Sequence, residues 1–241
     1  MSGNTAIAAD QFVVLTPRLV LVPTTLAISF SSYRALYSDL HANVAFCEMG
    51  FGPHFPARRW SDEETRESIQ TRDIERCWGQ RGLGDFAVGL RGETTSQSDK
   101  HSAQNDDPSI TVRGDDYVRI AGPDNSLLSA TQWVGYVGLR DATTTSMPPR
   151  ERNDPALPHW LEMIELRYGV APEFWGKGIA QEAAKGLMRW GATEKGVKRF
   201  IAETERGNTR SAKALQKLGF KVSDTDYWKE PSELEWECAA N

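Results

Sequence analysis

Cysteine is scarce in this sequence: Cys47, Cys77 and Cys238 lie far apart in 241 residues and form no CxxC pair. That spacing argues against both a structural zinc site and a disulfide framework. The four histidines, at 41, 54, 101 and 159, have no metal-ligand spacing either, so no metal is expected. No apolar run approaches the roughly 20 residues of a membrane span. The amino terminus, MSGNTAIAADQF, lacks the basic segment and long apolar core of a signal peptide. A cytoplasmic location with no membrane partner is the resulting expectation. An excess of basic residues is also missing, with 28 Lys and Arg against 33 Asp and Glu and a net charge of -5. This balance argues against nucleic acid as a partner and mildly favours a cationic one.

What is present is ordinary for a globular chain, at 39% hydrophobic and 25% charged residues, and one domain over 12–236 is expected. FVVLTPRLVLVP (12–23) reads as a first strand. Residues 26–42 have helical spacing, with Leu26, Phe30, Tyr33, Leu36, Tyr37 and Leu40 on one stripe. The segment 46–60 is broken by Gly and Pro, reads as a loop, and carries Phe46, Phe51, His54, Phe55 and Trp60. Ser61 and Glu64 form a capping box for a helix running to about Trp78. Residues 84–91 and 132–141 read as strands of a meander, separated by a polar tract. The whole stretch 92–130 is expected to be a mobile insertion, with a small hairpin at 110–122, and 142–158 an exposed loop. Strands at 160–170 and 198–205, helices at 178–195 and 208–220, and two final strands complete the pattern.

The most informative stretch is PEFWGKGIAQEAAKGLMRW, 172–190, where Gly176, Gly178 and Ala180 precede or open a strong helix. A helix start offers unpaired N–H groups and a partial positive charge, and small residues let an anion approach the backbone closely. Neither the dinucleotide-binding glycine pattern nor a Walker motif fits, because the turn comes late and no Lys-Ser/Thr follows the glycines.

ELRYGVAPEFWGKGIAQEA resembles the acetyl-CoA-binding motif of the GNAT acetyltransferase superfamily, and in particular the branch of bacterial ribosomal-protein N-terminal acetyltransferases. Three collinear segments extend the resemblance over roughly 15–228: TPRLVLVP, WVGYVGLRD and NTRSAKALQKLGF. It implies an α/β GNAT fold, a central mixed and mostly antiparallel sheet flanked by helices. It also implies acetyl-CoA as co-substrate, with the pyrophosphate on backbone N–H groups of Trp175, Gly176, Lys177, Gly178, Ile179 and Ala180. Lys177 adds a charge-assisted contact or is a solvated lysine. Backbone groups near Tyr168 and Val170 are expected to pair with the pantetheine arm, and Asn208 to cap its helix, pair with a pantetheine amide, or both.

Acetyl transfer to an amine needs a proton acceptor, donors for the oxyanion and a proton for the departing thiolate. Glu165 aligns with the branch's strand Glu and shares a face with Arg167 and Gly169, so it is the expected base, or else an ion-paired carboxylate beside Arg167; Glu162 is its rival. Leu215 stands where many superfamily members carry a general-acid Tyr, and Ser211 is the substitute donor that the branch implies. The Val170 N–H is the expected oxyanion donor. Direct attack in a ternary complex follows from the resemblance and from the lack of a cysteine near the motif. The acceptor is expected between the first helices and the last hairpin, near the aromatic loop and the acidic Asp39, Glu48, Asp62 and Glu63. It is either a protein N-terminus or a small amine. The rival of another class is a non-catalytic acetyl-CoA sensor, which Leu215 favours.

Overall fold

A computed structural model describes residues 11–52, 54–92 and 109–240. Nine strands form one sheet among these residues: β1 (Phe12–Leu15), β2 (Leu19–Pro23), β3 (Asp85–Leu90), β4 (Ile110–Arg113), β5 (Trp133–Asp141), β6 (Ile164–Val170), β7 (Arg199–Glu205), β8 (Lys221–Val222) and β9 (Glu233–Ala239). Their spatial order is β4-β1-β2-β3-β5-β6-β7-β9-β8. Seven of the eight neighbouring pairs are antiparallel and β6–β7 is parallel.

Helices α1 (Thr24–Ala27), α2 (Ser31–Ala42), α3 (Val44–Phe51), α4 (Asp62–Ile69) and α5 (Gly79–Arg81) lie between β2 and β3. Helices α6 (Gly114–Ala121), α7 (Ser126–Ser129) and α8 (Ala142–Thr145) flank β5 in sequence, and α9 (Ile179–Lys195) and α10 (Thr209–Lys217) follow β6 and β7. Strand alternation assigns each face its cover. Ile164, Leu166 and Val170 of β6 join Ala183, Leu187 and Trp190 of α9 in one core, whereas Tyr33, Tyr37 and Leu40 of α2 pack with Val20, Val22 and Tyr136 in the other. Trp190 is 2% exposed, with its ring 5.1 Å from Phe86 and 5.6 Å from Phe12. Burying a side chain such as Phe86 contributes about 1.5–3 kcal/mol.

Ser61 caps α4 through the expected box, accepting from the Glu64 N–H at 3.1 Å while its own N–H donates to Glu64 Oε2 at 2.8 Å. The helix continues to Trp78, but as a π-helical segment over Gln70–Trp78, a geometry common at functional sites. It turns Asp73 inward, where its carboxylate accepts from the Asp85 N–H at 2.9 Å and from the Thr24 hydroxyl. The start of β3 is thereby tied to α1.

Four readings need correction. The 12–23 strand is a hairpin, because the Thr16 N–H donates to the Leu19 carbonyl and Leu19 N–H returns to Thr16 Oγ1, closing a turn at Pro17. The aromatic loop contains α3, started by Asn43, whose side chain accepts from the Phe46 N–H. Residues 110–122 form a strand followed by a helix, since β4 pairs with the sheet edge at β1 and α6 follows directly. The segment 142–158 begins with α8 and tucks Met147 and Leu157 against Met163, Ile201 and Trp228. Of the insertion expected to be mobile over 92–130, residues 93–108 lie outside the described residues. Its remainder is built into the core: Val112, Tyr117, Ala121 and Leu128 are buried, and the Tyr117 hydroxyl donates to Asn125 Oδ1 at 2.6 Å.

Replacing Tyr117 with alanine is therefore expected to cost about 3 kcal/mol or more, the range for truncating a buried aromatic ring. Urea denaturation measures it; a change below about 0.5 kcal/mol, as at a surface position, would show that this segment is not part of the core.

Candidate active site

β6 and β7 pair only at Ile164–Phe200 and Glu165–Ile201, and then part. Each keeps its outer partner along its length, β6 with β5 and β7 with β9. Peptide groups along an antiparallel strand face alternate edges. Ala171 N–H donates to the Val134 carbonyl at 2.9 Å, so Ala171 and Gly169 face β5 while Val170 and Tyr168 face the gap. The gap opens into a cavity of about 1310 Å³ that reaches both faces of the sheet, with α9 and α10 bordering one side and α2, α3 and the π-helical segment the other.

The turn before α9 forms one rim. Gly176 and Gly178 both have φ of +76°, a left-handed conformation that favours glycine. The first bond of α9 runs from the Glu182 N–H to the Gly178 carbonyl, which leaves the N–H groups of Ile179, Ala180 and Gln181 without intrahelical acceptors. Gly176, Gly178 and Ala180 line the cavity, and the Ile179 side chain anchors the helix in the core. Trp175 packs here: its indole N–H donates to the Val170 carbonyl at 2.6 Å, and the Arg210 guanidinium lies 4.8 Å from its ring. The Val170 carbonyl is thus taken while its N–H still faces the gap. Lys177 is exposed and off the cavity wall, with its ammonium 5.0 Å from the Phe174 ring, which fits the solvated-lysine alternative.

The start of α10 forms the opposite rim. Asn208 Oδ1 accepts from the Ser211 N–H at 3.0 Å, the expected cap, and its Nδ2 donates to the Met49 carbonyl at 2.9 Å. That bond bridges α3 to α10 across the gap and leaves one amide N–H for another acceptor. Ser211 lines the cavity, and the Tyr168 hydroxyl donates to its carbonyl at 3.4 Å.

Glu165 reaches the cavity wall but is tightly held. Arg140, from the adjacent β5, donates to both of its carboxylate oxygens at 2.9 and 2.7 Å, and Ser146 Oγ donates to one of them. Burial pushes this carboxyl up, but the Arg140 charge and hydrogen bonds, with Ser146 and Arg167, hold it net below the usual carboxylate range. Of the two expectations for Glu165, this geometry fits the ion-paired carboxylate and disfavours the base. Glu165 is ion-paired, but to Arg140; Arg167 instead lies 3.6 Å from Asp85 and 5.1 Å from the Tyr136 ring.

Two carboxyls that the sequence reading missed have the opposite character. Glu203 on β7 and Glu233 on β9 both line the cavity and perturb each other's protonation. Burial and the neighbouring Glu233 push Glu203 up to about 8, and burial with Glu205 raises Glu233. Carboxyls so placed share a proton. The period-two pattern of IAETE offered a signal, since Ala202 and Thr204 occupy the face opposite Glu203 and Glu205. The antiparallel partner β9 was needed to find Glu233. Of the acidic residues expected near the acceptor, Asp39 pairs with Arg59 and Asp62 with Arg34. Of the expected aromatic set, Phe46, Phe51 and Phe55 line the cavity and His54 and Trp60 do not; Tyr37 and His41 of α2 join the wall instead.

The family model for the acetyltransferase (GNAT) domain matches residues 18–221. The FsC-acetyl coenzyme A-N(2)-transacetylase of Aspergillus fumigatus is 30% identical over 98 residues, covering 41% of this chain and 38% of that relative. The chain thus spans about two fifths of the length of the first curated relatives it matches. Among solved structures, an acetyltransferase from Agrobacterium tumefaciens superposes with a TM-score of 0.56 at 18% identity, over 94% of this chain and 93% of that one. The spermidine N-acetyltransferase of Vibrio cholerae, solved with CoA and spermine, superposes with a TM-score of 0.51 at 12% identity, over 95% and 96%. These structural likenesses show a shared fold. No helix among the described residues is long and apolar enough to cross a membrane.

The Arg140–Glu165 pair yields a test with a definite sign. Because the folded pKa of Glu165 is depressed, the pair's stabilisation is present above the ordinary carboxylate range and is lost as pH falls through the folded value. Arg140→Ala is expected to cost roughly 3–5 kcal/mol at pH 7 by stranding a buried charge. Adding Glu165→Gln should recover much of that loss. Urea melts of the two variants check it; equal stability of Arg140→Ala and wild type at pH 7 contradicts the assignment.

Proposed function

This chain belongs to the GNAT acetyltransferase family, and from that premise we propose that it moves an acetyl group from acetyl-CoA to a primary amine by direct attack in a ternary complex. The observation that carries the reading is the parting of β6 and β7 between the glycine turn and the Glu203–Glu233 pair. The turn fits an anionic co-substrate: left-handed glycines, a small Ala180 and unpaired helix-start N–H groups border one cavity. Backbone N–H groups from Gly176 to Ala180 hold the pyrophosphate, the Trp175 N–H being taken by the Pro172 carbonyl at 3.1 Å. Tyr168 offers its gap-facing N–H and carbonyl to the pantetheine arm, as an edge strand does to an added strand, while Val170, its carbonyl taken by Trp175, offers only its N–H. The remaining N–H of Asn208 meets a pantetheine carbonyl.

Bound acetyl-CoA supplies an activated thioester carbonyl. Val170 N–H donates to the developing oxyanion, and Ser211 Oγ, on a residue that lines the same cavity, gives the departing thiolate its proton. Glu203 accepts the amine proton from the carboxylate form of its pair, in place of Glu165, whose oxygens are both committed to Arg140. Cys47, Cys77 and Cys238 are all absent from the cavity wall, which supports direct transfer over an acyl-cysteine route. The acceptor's carbon body packs on Tyr37, Phe46, Phe51 and Phe55. The four collinear motifs favour a protein N-terminus as acceptor, and a small amine is the alternative within the same chemistry.

Thiol release from acetyl-CoA, measured against peptides with free N-termini and a set of small amines, tests this function. A CoA-binding chain that turns over none of them would be the non-catalytic sensor. For the proton acceptor, kcat/KM is expected to rise as pH passes through about 8, where Glu203 loses its proton. Glu203→Gln should lower kcat by about a hundred- to ten-thousandfold, the usual weight of a general base, and abolish that rising limb. An unchanged rate and pH profile in this variant would place the base elsewhere.

A further inference from the structure

The turn between β1 and β2 has no part in the chemistry above, yet it reaches across to the start of α9. Arg18 Nε donates to Glu182 Oε2 at 2.6 Å, and the Arg18 backbone N–H donates to Glu182 Oε1 at 2.9 Å. Thr16 Oγ1 donates to that same Oε1 at 2.6 Å and accepts from the Leu19 N–H at 3.1 Å. With the guanidinium fixed in this bracket, Arg18 Nη1 donates to the Lys177 carbonyl at 3.0 Å. Its Nη2 stands 3.5 Å from where a Gly178 Cβ would lie. Gly176 and Gly178 are on the cavity wall and Arg18 is not, so Arg18 stands behind the turn.

The local chain explains why such a clamp matters. Glycine on either side of Lys177 leaves the intervening peptide planes little constrained by sterics. A trans peptide carries its C=O and N–H in opposite directions, and the described chain has no cis bonds. Drawing the Lys177 carbonyl back toward Arg18 therefore turns the Gly178 N–H the other way, toward the cavity. We infer that Arg18 is a positioning residue for acetyl-CoA, locking the Lys177–Gly178 peptide so that Gly178 N–H faces the pyrophosphate, with Thr16 and Glu182 as its bracket. The inference rests on the reading of this turn as the pyrophosphate seat.

The test uses the full chain and three variants, R18A, R18K and E182A. Losing the orientation of a charge-assisted hydrogen bond is expected to weaken CoA binding by about tenfold or more in calorimetric titration of R18A. The KM for acetyl-CoA should rise in parallel while kcat stays within about twofold. With S-acetylpantetheine, which has no pyrophosphate, kcat/KM should differ from wild type by less than about twofold, because the clamp acts only on the phosphate seat. E182A, which removes the bracket but keeps Arg18, should show the same split, and R18K, which keeps one donor, should fall between. R18A or, should it fail to fold, E182A binding CoA as wild type does would overturn the inference. So would equal losses with acetyl-CoA and S-acetylpantetheine, the mark of a merely structural role. Wild-type protein that fails to bind CoA would overturn the reading of the turn itself, and the clamp with it.

Discussion

The rest of the site depends on a failure of pairing: β6 and β7 touch at two positions and then separate. Buried peptide groups left without partners are costly, so a split inside a sheet persists only when each strand is held from its far side and the exposed edges meet other groups. Both conditions are present. β5 pairs with β6 and β9 with β7 along their lengths, while the Trp175 indole takes the Val170 carbonyl and Asn208 links the far rim to Met49. What remains toward the gap is a short row of donors suited to a strand-like ligand.

The split also separates two electrostatic tasks. On the α9 side the wall is small and rich in N–H groups, so it favours anions. On the other side carboxyls collect, and their neighbours decide their chemistry. Arg140 keeps Glu165 ionised and occupied, whereas burial and Glu233 raise Glu203, and burial and Glu205 raise Glu233. Position on adjacent strands thus turns three glutamates into one fixed counter-ion and one proton-sharing pair. Distance from the reacting atoms does not make a residue idle either: the β1–β2 turn bears on the glycine turn through a single carbonyl.

Features with a local cause were legible in the sequence. The Ser61 capping box, the Asn208 cap and the helix after the glycine turn each follow from a few neighbouring residues, and all occur as expected. Features set by partners distant in sequence were not. Nothing local in IELRYGV announces that Arg140, 25 residues earlier, holds Glu165 at both oxygens, nor that Glu233 comes up beside Glu203. The Gly/Pro-rich 46–60 segment concealed α3 because Asn43 starts the helix before the breakers begin. In 110–122, Gly-Asp-Asp suggested a hairpin, but the acidic pair instead lies in the first turn of α6, where it complements the helix dipole.

The central claim is that the unpaired edge of β6 is the seat of acetyl-CoA, and amide hydrogen exchange reads that edge directly. In nitrogen-15 spectra of the labelled chain, saturating CoA should slow exchange of the Tyr168 and Val170 amides by about tenfold or more, with Gly169, already turned toward β5, changing far less. CoA that binds while Tyr168 and Val170 exchange as in the free protein would contradict the account.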